Sequence, residues 1–393
     1  MRNVAVIGVG AHPVGKYEHL ALKDLAREAI WGALRDADVE PEKIDVAYVG
    51  NSLGGLLTGQ EGIRGQVVMQ DAGFGGLPVI NVENACASGA TAFRGAWLEV
   101  ASGNADFALA VGVEKMFVGD IAKSISAIAA DSELELSRMG MQFSASYAIH
   151  PKINLKGKMR DYGWTPADFA NVAVKNSDNG SKNPVAQHRR PLTTEDVLQS
   201  RMIADPLTLF MCSSIGDGAA AAIVCSADAA KKLSSRPLVN IGACILKSGV
   251  YRLPNDDRAD TLTLTAEAAY EAAGISPEDV DLAEVHDAMA PAELMIYERL
   301  GFCGPGEGPK LIDERVVTLD GNKPVNPSGG LSARGHPIGA TGILQMYEIV
   351  RQLRGECGDR QIQNNPKVGL AQNQGGLLLG QDSAAYSVTL LHT

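Results

Sequence analysis

What this chain of 393 residues has little of narrows its possible functions. Its six cysteines (Cys86, Cys212, Cys225, Cys244, Cys303 and Cys357) contain no Cys-x-x-Cys pair and no regular spacing. Neither a bound metal nor a disulfide framework is therefore expected, and a reducing, cytoplasmic compartment is predicted. Basic residues are outnumbered, 35 Lys and Arg against 46 Asp and Glu, giving a net charge of −11. That field does not favour nucleic acid or an anionic membrane surface. No apolar run reaches the ~18 residues that a membrane span needs. Met1-Arg-Asn-Val-Ala-Val-Ile-Gly is too short an apolar run for a secretion signal and leads directly into a strand. Gly8-Val-Gly10 follows that strand, but no third glycine opens a helix after it, so nicotinamide binding is not predicted. With 45% apolar and 21% charged residues, the chain has an ordinary globular composition and a length natural for two fused α/β halves.

The stretch Asn81-Val-Glu-Asn-Ala-Cys86-Ala-Ser-Gly-Ala-Thr91 organises the rest. Leu77-Pro-Val-Ile-Asn-Val82 before it is short, apolar and β-branched and reads as a buried strand. Residues 87–100 after it read as a helix. Cys86 thus falls at a strand-to-helix turn, where free N–H groups and the positive end of the helix dipole favour thiolate over thiol. It is either a nucleophile or a small residue filling a tight turn. His336-Pro-Ile-Gly-Ala-Thr341 repeats its frame, with Gly-Ala-Thr three to five residues beyond each reactive side chain and an offset of 250. Val39-Glu-Pro-Glu-Lys-Ile-Asp-Val-Ala-Tyr-Val49 likewise matches Ile275-Ser-Pro-Glu-Asp-Val-Asp-Leu-Ala-Glu-Val285 at an offset of 236. Two such matches indicate an internal duplication. Pseudo-symmetric packing of the halves would bring two helix N-termini to one site, where His336 takes the proton of Cys86.

The halves are expected at 1–235 and 236–393. Strands are predicted at 4–9, 46–49, 107–116, 219–224, 368–376 and 383–391, with helices at 20–37, 62–72 and 261–273. Glu114 and Lys115 read as an ion pair at a strand end. From about 117 to 206 the strand–helix rhythm stops, and this segment reads as a lobe inserted into the first half. Its basic residues, Lys152, Lys156, Lys158, Arg160, Lys175, Lys182, Arg189 and Arg190, offer either a cradle for an anionic cofactor tail or ordinary solvated helix faces. His286 is placed just past a strand end.

Asn84-Ala-Cys86-Ala-Ser-Gly, Gly112-Val-Glu-Lys-Met116, Ser200-Arg-Met-Ile-Ala-Asp-Pro206, Gly216-Asp-Gly-Ala-Ala, His286-Asp and Gly329-Gly-Leu-Ser-Ala-Arg-Gly-His-Pro-Ile-Gly-Ala-Thr-Gly342 together resemble the thiolase superfamily over essentially the whole chain. Val174-Lys-Asn and Met202-Ile-Ala-Asp-Pro resemble its sterol-carrier-protein-type branch. The resemblance implies an α/β fold, a five-layered αβαβα sandwich of two duplicated halves plus an inserted loop domain. It implies an acyl-CoA C-acyltransferase with coenzyme A as co-substrate and no permanently bound cofactor, working as a homodimer or higher oligomer. Carried over by motif, Cys86 is the acyl-accepting nucleophile and His336 its base. His286 is an oxyanion-hole group acting through water, or a histidine that merely satisfies a carbonyl. The N–H groups of Cys86 and Gly376 form a second oxyanion hole, each donor worth roughly 3–4 kcal/mol. Ser213, Ser328 and Gly329 are the implied coenzyme A contacts.

The departures matter as much. Thiolases use a second cysteine as acid/base, in a Cys-x-Gly loop or as His-Asp-Cys. Here those positions read Asn373-Gln374-Gly375 and Ala288. Relatives lacking that cysteine include degradation-pathway subunits paired with a small zinc-ribbon/OB-fold protein. Among these the chain is similar to the large subunit of benzoylsuccinyl-CoA thiolase. Retro-aldolases on the same fold, and a non-catalytic acyl-CoA-binding subunit, are the alternatives.

Overall fold

The computed structural model describes residues 1–149, 155–233, 236–251, 258–379 and 382–393. Its strands are β1 (Val4–Gly15), β2 (Val46–Gly50), β3 (Val79–Val82), β4 (Phe107–Glu114), β5 (Met202–Ala204), β6 (Leu207–Thr208), β7 (Asp217–Ser226), β8 (Val239–Ser248), β9 (Leu282–Glu284), β10 (Val368–Gly375) and β11 (Ala385–His392). Nine of them follow one another in the order β3-β2-β4-β7-β1-β8-β11-β10-β9.

Read outward from the β1–β8 contact, the same topology occurs twice. β7 and β4 follow β1 by antiparallel pairing, then β2 and β3 by parallel pairing. β11 and β10 follow β8 by antiparallel pairing, then β9 by parallel pairing, and a parallel bridge from Ala283 to Val325 stands where β3 would. The matching segments read from sequence coincide with β2 and β9. Each follows a short 3₁₀ turn, Pro41–Lys43 or Pro277–Asp279.

Side-chain alternation builds the layers, because successive residues of a strand face opposite sides. In the first half, Leu109 and Val111 of β4 and Ala221 and Ile223 of β7 pack outward on the Leu22–Ala37 helix. Full burial of Leu25, Ile30 and Leu34 on that helix contributes about 1.5–3 kcal/mol each. Ala108, Ala110, Ala222 and Val224 face inward on Phe93, Ala96, Ile343 and Leu344. These belong to two central helices, Ser88–Ser102 and Thr341–Arg354. Beyond them lies the second half of the sheet, whose outer face carries Leu370, Val388 and Leu390 against Leu262 and Ala266 of the Thr261–Ala273 helix. The result is the five-layered αβαβα sandwich, and the central helices are covered on both sides. The Thr341–Arg354 helix accordingly buries even Gln345, Glu348 and Gln352.

Three expectations need correction. β3 is half-buried rather than buried, because it ends the sheet and has β2 as its neighbour. Glu114 and Lys115 do not pair with each other: alternation sends them to opposite sides, and Lys115 Nζ lies 2.6 Å from Asp217. The inserted segment does not rest on the first half alone. Phe169, Val172 and Ala173 of its Pro166–Ser181 helix join the outer core of the second half. Lys175, in the same helix, is buried 2.7 Å from Glu293. The boundary expected at 235/236 touches residue 235, which lies outside the described residues.

Candidate active site

The reactive positions lie where the two central helices begin. Ala85–Ala87 forms a 3₁₀ turn that runs into the Ser88–Ser102 helix. Ala85 adopts a left-handed φ of 48° immediately before Cys86, a conformation costing roughly 1–2 kcal/mol for a residue with a Cβ. Ser88 fastens the turn, its hydroxyl donating to the Ala85 carbonyl (2.6 Å) and accepting from the Asn84 N–H (2.9 Å). His336 is presented in the same way. The residue before it, Gly335, has φ 98°, and a 3₁₀ turn, Ile338–Ala340, leads into the second helix. Glycines at the two helix starts have a packing cause, Gly89 in the first Gly-Ala-Thr frame and Gly342 directly after the second. A Cβ on Gly89 would lie 2.7 Å from the Gly339 carbonyl, and one on Gly342 would lie 2.3 Å from the Ala90 nitrogen. The two helix starts touch backbone to backbone, which sets Cys86 Sγ 3.3 Å from His336 Nε2.

Hydrogen bonds fix opposite tautomers on the two histidines. Thr341 donates its hydroxyl proton to the Pro337 carbonyl (3.1 Å) and therefore accepts from His336 Nδ1 (2.7 Å). His336 Nε2 is left with a lone pair facing the thiol. Asn373 Nδ2 donates to His286 Nδ1 at 3.3 Å, so His286 carries its proton on Nε2. The rings meet edge to face, 5.1 Å between centroids. Cys86 Sγ and one nitrogen of each ring lie within 4.8 Å of one another. That spacing also suits a soft divalent cation, which would occupy the nucleophile rather than activate it.

Burial decides the charge states. It pushes the Cys86 thiol well above its ordinary range, helped by Asp131 and Glu114. It pulls His336 well below the ordinary imidazole value, helped by His286 and Arg334, and His286 down to about 3. A helix N-terminus attracts negative charge, but here desolvation outweighs it. The resting pair is a neutral thiol hydrogen-bonded to a neutral imidazole.

Cys86, His286, His336, Ser213 and Gly376 all line one cavity of about 250 Å³. Gly375 sits directly on the nucleophile, where a Cβ would lie 2.8 Å from the Cys86 nitrogen. Ser328 and Gly329 do not reach this cavity. Ser328 is fully buried, its hydroxyl donating to Glu284 (2.7 Å) and its N–H to the other Glu284 oxygen (2.9 Å). Glu284 and Asp287 together hold the 328–334 loop, since Asp287 accepts from the Leu331 N–H at 2.7 Å. The described basic residues of the inserted segment do not line this cavity. No lysine or arginine lines the cavity among the described residues. Lys158 pairs with Glu298 and Arg160 with Asp161. Lys152 and the Lys156 side chain lie outside the described residues.

Sequence reasoning missed Asn373, Thr341 and the part played by Glu114. The buried Glu114 carboxylate accepts from Asn51 Nδ2 (2.8 Å), the N–H groups of Ser52 (3.0 Å) and Leu53 (3.2 Å), and the Gly339 N–H (2.9 Å). It ties the start of the second central helix to the first half. Glu114→Gln brings an NH₂ group among donors and leaves at least one without an acceptor. A loss of about 1–3 kcal/mol in urea unfolding is expected at pH 8. Burial raises this carboxyl to about 7. Its contribution to stability is therefore full below the unfolded value near 4.5 and is lost as pH rises through about 7. The variant's stability should fall less steeply than the wild type's between pH 5 and 8.

Comparison with known proteins shows the family. Residues 4–228 match the family model described as the thiolase N-terminal domain, and residues 256–387 match the one described as thiolase C-terminal domain-like. The chain belongs to the thiolase family. This thiolase is 42% identical to an acetyl-CoA acetyltransferase of Methanothermobacter thermautotrophicus, covering 96% of this chain and 97% of that one. It is 37% identical to benzoylsuccinyl-CoA thiolase subunit BbsB of Thauera aromatica, covering 95% of each. Among solved structures, the Ltp2–ChsH2(DUF35) aldolase shares the fold, with a TM-score of 0.80 and 24% identity over 98% of this chain and 97% of that one. The family makes this chain an acyltransferase. Among its described residues no helix is long and apolar enough to cross a membrane.

Proposed function

We propose that this chain is a β-ketoacyl-CoA thiolase that cleaves its substrate with free coenzyme A through an acyl-enzyme on Cys86. The observation that carries this reading is the 3.3 Å contact between Cys86 Sγ and the proton-free Nε2 of His336. His336 takes the thiol proton as sulfur attacks the keto carbon. The tetrahedral oxygen then lies against the N–H groups of Cys86 and Gly376, while His286, through water, serves the other oxyanion hole, at the thioester oxygen of the departing carbanion. The C2–C3 bond breaks, leaving the acyl group on Cys86, and coenzyme A removes it. No permanently bound cofactor takes part, and Ser213 contacts the pantetheine arm.

The finer reading is a cytoplasmic homodimer or higher oligomer in a degradation pathway. Benzoylsuccinyl-CoA is the first substrate to try, because the relative named for it is 37% identical and Ile125, Phe143, Tyr147, Leu209 and Met289 give the cavity apolar walls. A small zinc-ribbon/OB-fold partner is part of this reading. Its support is the word "subunit" in that relative's name and the two components named in the aldolase neighbour. The test is intact mass after mixing the protein with benzoylsuccinyl-CoA and then with acetoacetyl-CoA, with and without coenzyme A. An acyl mass on the Cys86 peptide that disappears on adding coenzyme A is expected. Carbon–carbon cleavage without any adduct would instead identify a lyase, and coenzyme A binding with neither would identify a non-catalytic subunit.

A further inference from the structure

Cleaving a 3-ketoacyl-CoA leaves the electron pair of the broken bond on C2, and that carbon needs a proton. The two positions where a second cysteine would supply it hold Asn373 and Ala288, so the donor must be another group facing the cavity. His286 is unsuited: its single proton is on Nε2, Asn373 occupies Nδ1, and giving that proton up would leave an imidazolate. The Ser214 hydroxyl is taken by His188 Nε2 at 2.7 Å, and aliphatic hydroxyls hold their protons too tightly in any case. Cys212 lines the cavity, but its thiol donates to the Thr208 carbonyl at 3.4 Å.

Tyr147 differs from all of these. It lies on the Phe143–Ile149 helix of the inserted segment, its ring is buried, and it lines the same cavity as Cys86. Its oxygen accepts from Gln374 Nε2 at 3.3 Å. Among the described residues its own proton has no acceptor. Gln374 directly precedes Gly375, the residue seated on the Cys86 amide, so the phenol is tied to the backbone beside the nucleophile. Burial raises this hydroxyl to about 12, and the next contribution is the charge Cys86 would carry. The phenol therefore rests protonated and sits within the field of the reacting sulfur.

Building on the thiolase reading, we propose that the Tyr147 hydroxyl is the acid/base that replaces the second cysteine. As the C2–C3 bond breaks, C2 takes the phenolic proton, which yields the released acyl-CoA and a phenolate. The phenolate then takes the proton of coenzyme A as its sulfur attacks the Cys86 thioester. The tetrahedral intermediate expels Cys86, which recovers its original proton from His336. Every proton is returned, and the net reaction consumes one coenzyme A.

Tyr147→Phe removes the hydroxyl and keeps the ring. Two half-reactions separate its role from a structural one: exchange of the α-protons of acetyl-CoA in D₂O, followed by NMR, and acylation of Cys86 by acetyl-CoA, followed by intact mass. In exchange the base is the phenolate left when the coenzyme A thiolate, expelled as Cys86 is acylated, takes the phenolic proton; acylation itself depends on that proton far less, because a thiolate can also leave unprotonated. The expected result is a loss of about 10²-fold or more in exchange, with acylation reduced at most about tenfold. Exchange by Tyr147→Phe within about threefold of wild type would overturn the proposal, as would a loss that follows Cys212→Ala instead. A wild-type protein acylated by neither acetyl-CoA nor benzoyl-CoA would overturn the thiolase reading itself, whereas one that is acylated by acetyl-CoA but does not exchange would overturn the Tyr147 proposal alone.

Discussion

Cys86→Ala is expected to lower thiolysis by about 10⁴-fold or more, the scale seen when a covalent nucleophile is removed, and to eliminate any acyl mass on the protein. Among the described residues Cys86 has no substitute in the cavity. His336 Nε2 is aimed at its sulfur, and the other cavity thiol, Cys212, is turned toward a backbone carbonyl. The variant should still fold, because alanine fits the Ala85–Ala87 turn and Ser88 holds that turn through its own hydroxyl. Circular dichroism and a retained affinity for coenzyme A check this. Cys86→Ser tests the chemistry further: a hydroxyl in the same buried position resists deprotonation far more than a thiol, so only trace activity is expected. Thiolysis within tenfold of wild type in Cys86→Ala would remove the covalent mechanism and favour a lyase.

The sequence carried the duplication because both copies kept their local signals. The Pro-Glu-x-x-Asp-x-Ala segments each form a 3₁₀ turn and a strand. Each Gly-Ala-Thr frame needs its glycine for close backbone packing, Gly89 against the Gly339 carbonyl and Gly339 against the Val113 carbonyl and Asn51. Cys86 and His336 were legible for the same reason, each standing just before a Gly-Ala-Thr helix start. What escaped depends on residues distant in the chain. Asn373 orients His286 across 87 positions, and Tyr147 meets Gln374 across 227. Lys175 read as a possible cofactor ligand, but its partner Glu293 lies on a helix that the inserted segment reaches only in the folded state. The charge state of Cys86 escaped as well. The helix N-terminus is visible in sequence, whereas the burial that overrides it is a property of both halves together.

Loss of His336 is the second large effect. Because burial, with Asp131 and Glu114, holds the Cys86 thiol well above its ordinary range, almost no thiolate is present at neutral pH without a base. His336→Ala is therefore expected to slow acylation by about 10²–10⁴-fold. An exposed cysteine would regain its rate as pH approached 9, but Cys86 should not, because its thiol titrates higher still. In the wild type the imidazole must be neutral to accept the proton, and its own value is depressed well below 6.5. The acid limb of the rate profile should then lie below pH 6.5, with full activity above it. Thr341→Val adds a graded test, since it removes the hydroxyl that holds the His336 Nδ1 proton in place while leaving the ring. Its acylation rate should fall between wild type and His336→Ala. Stopped-flow acylation of all three proteins between pH 5 and 10 decides the matter. A His336→Ala rate within a few-fold of wild type at pH 7 would mean that another group deprotonates Cys86.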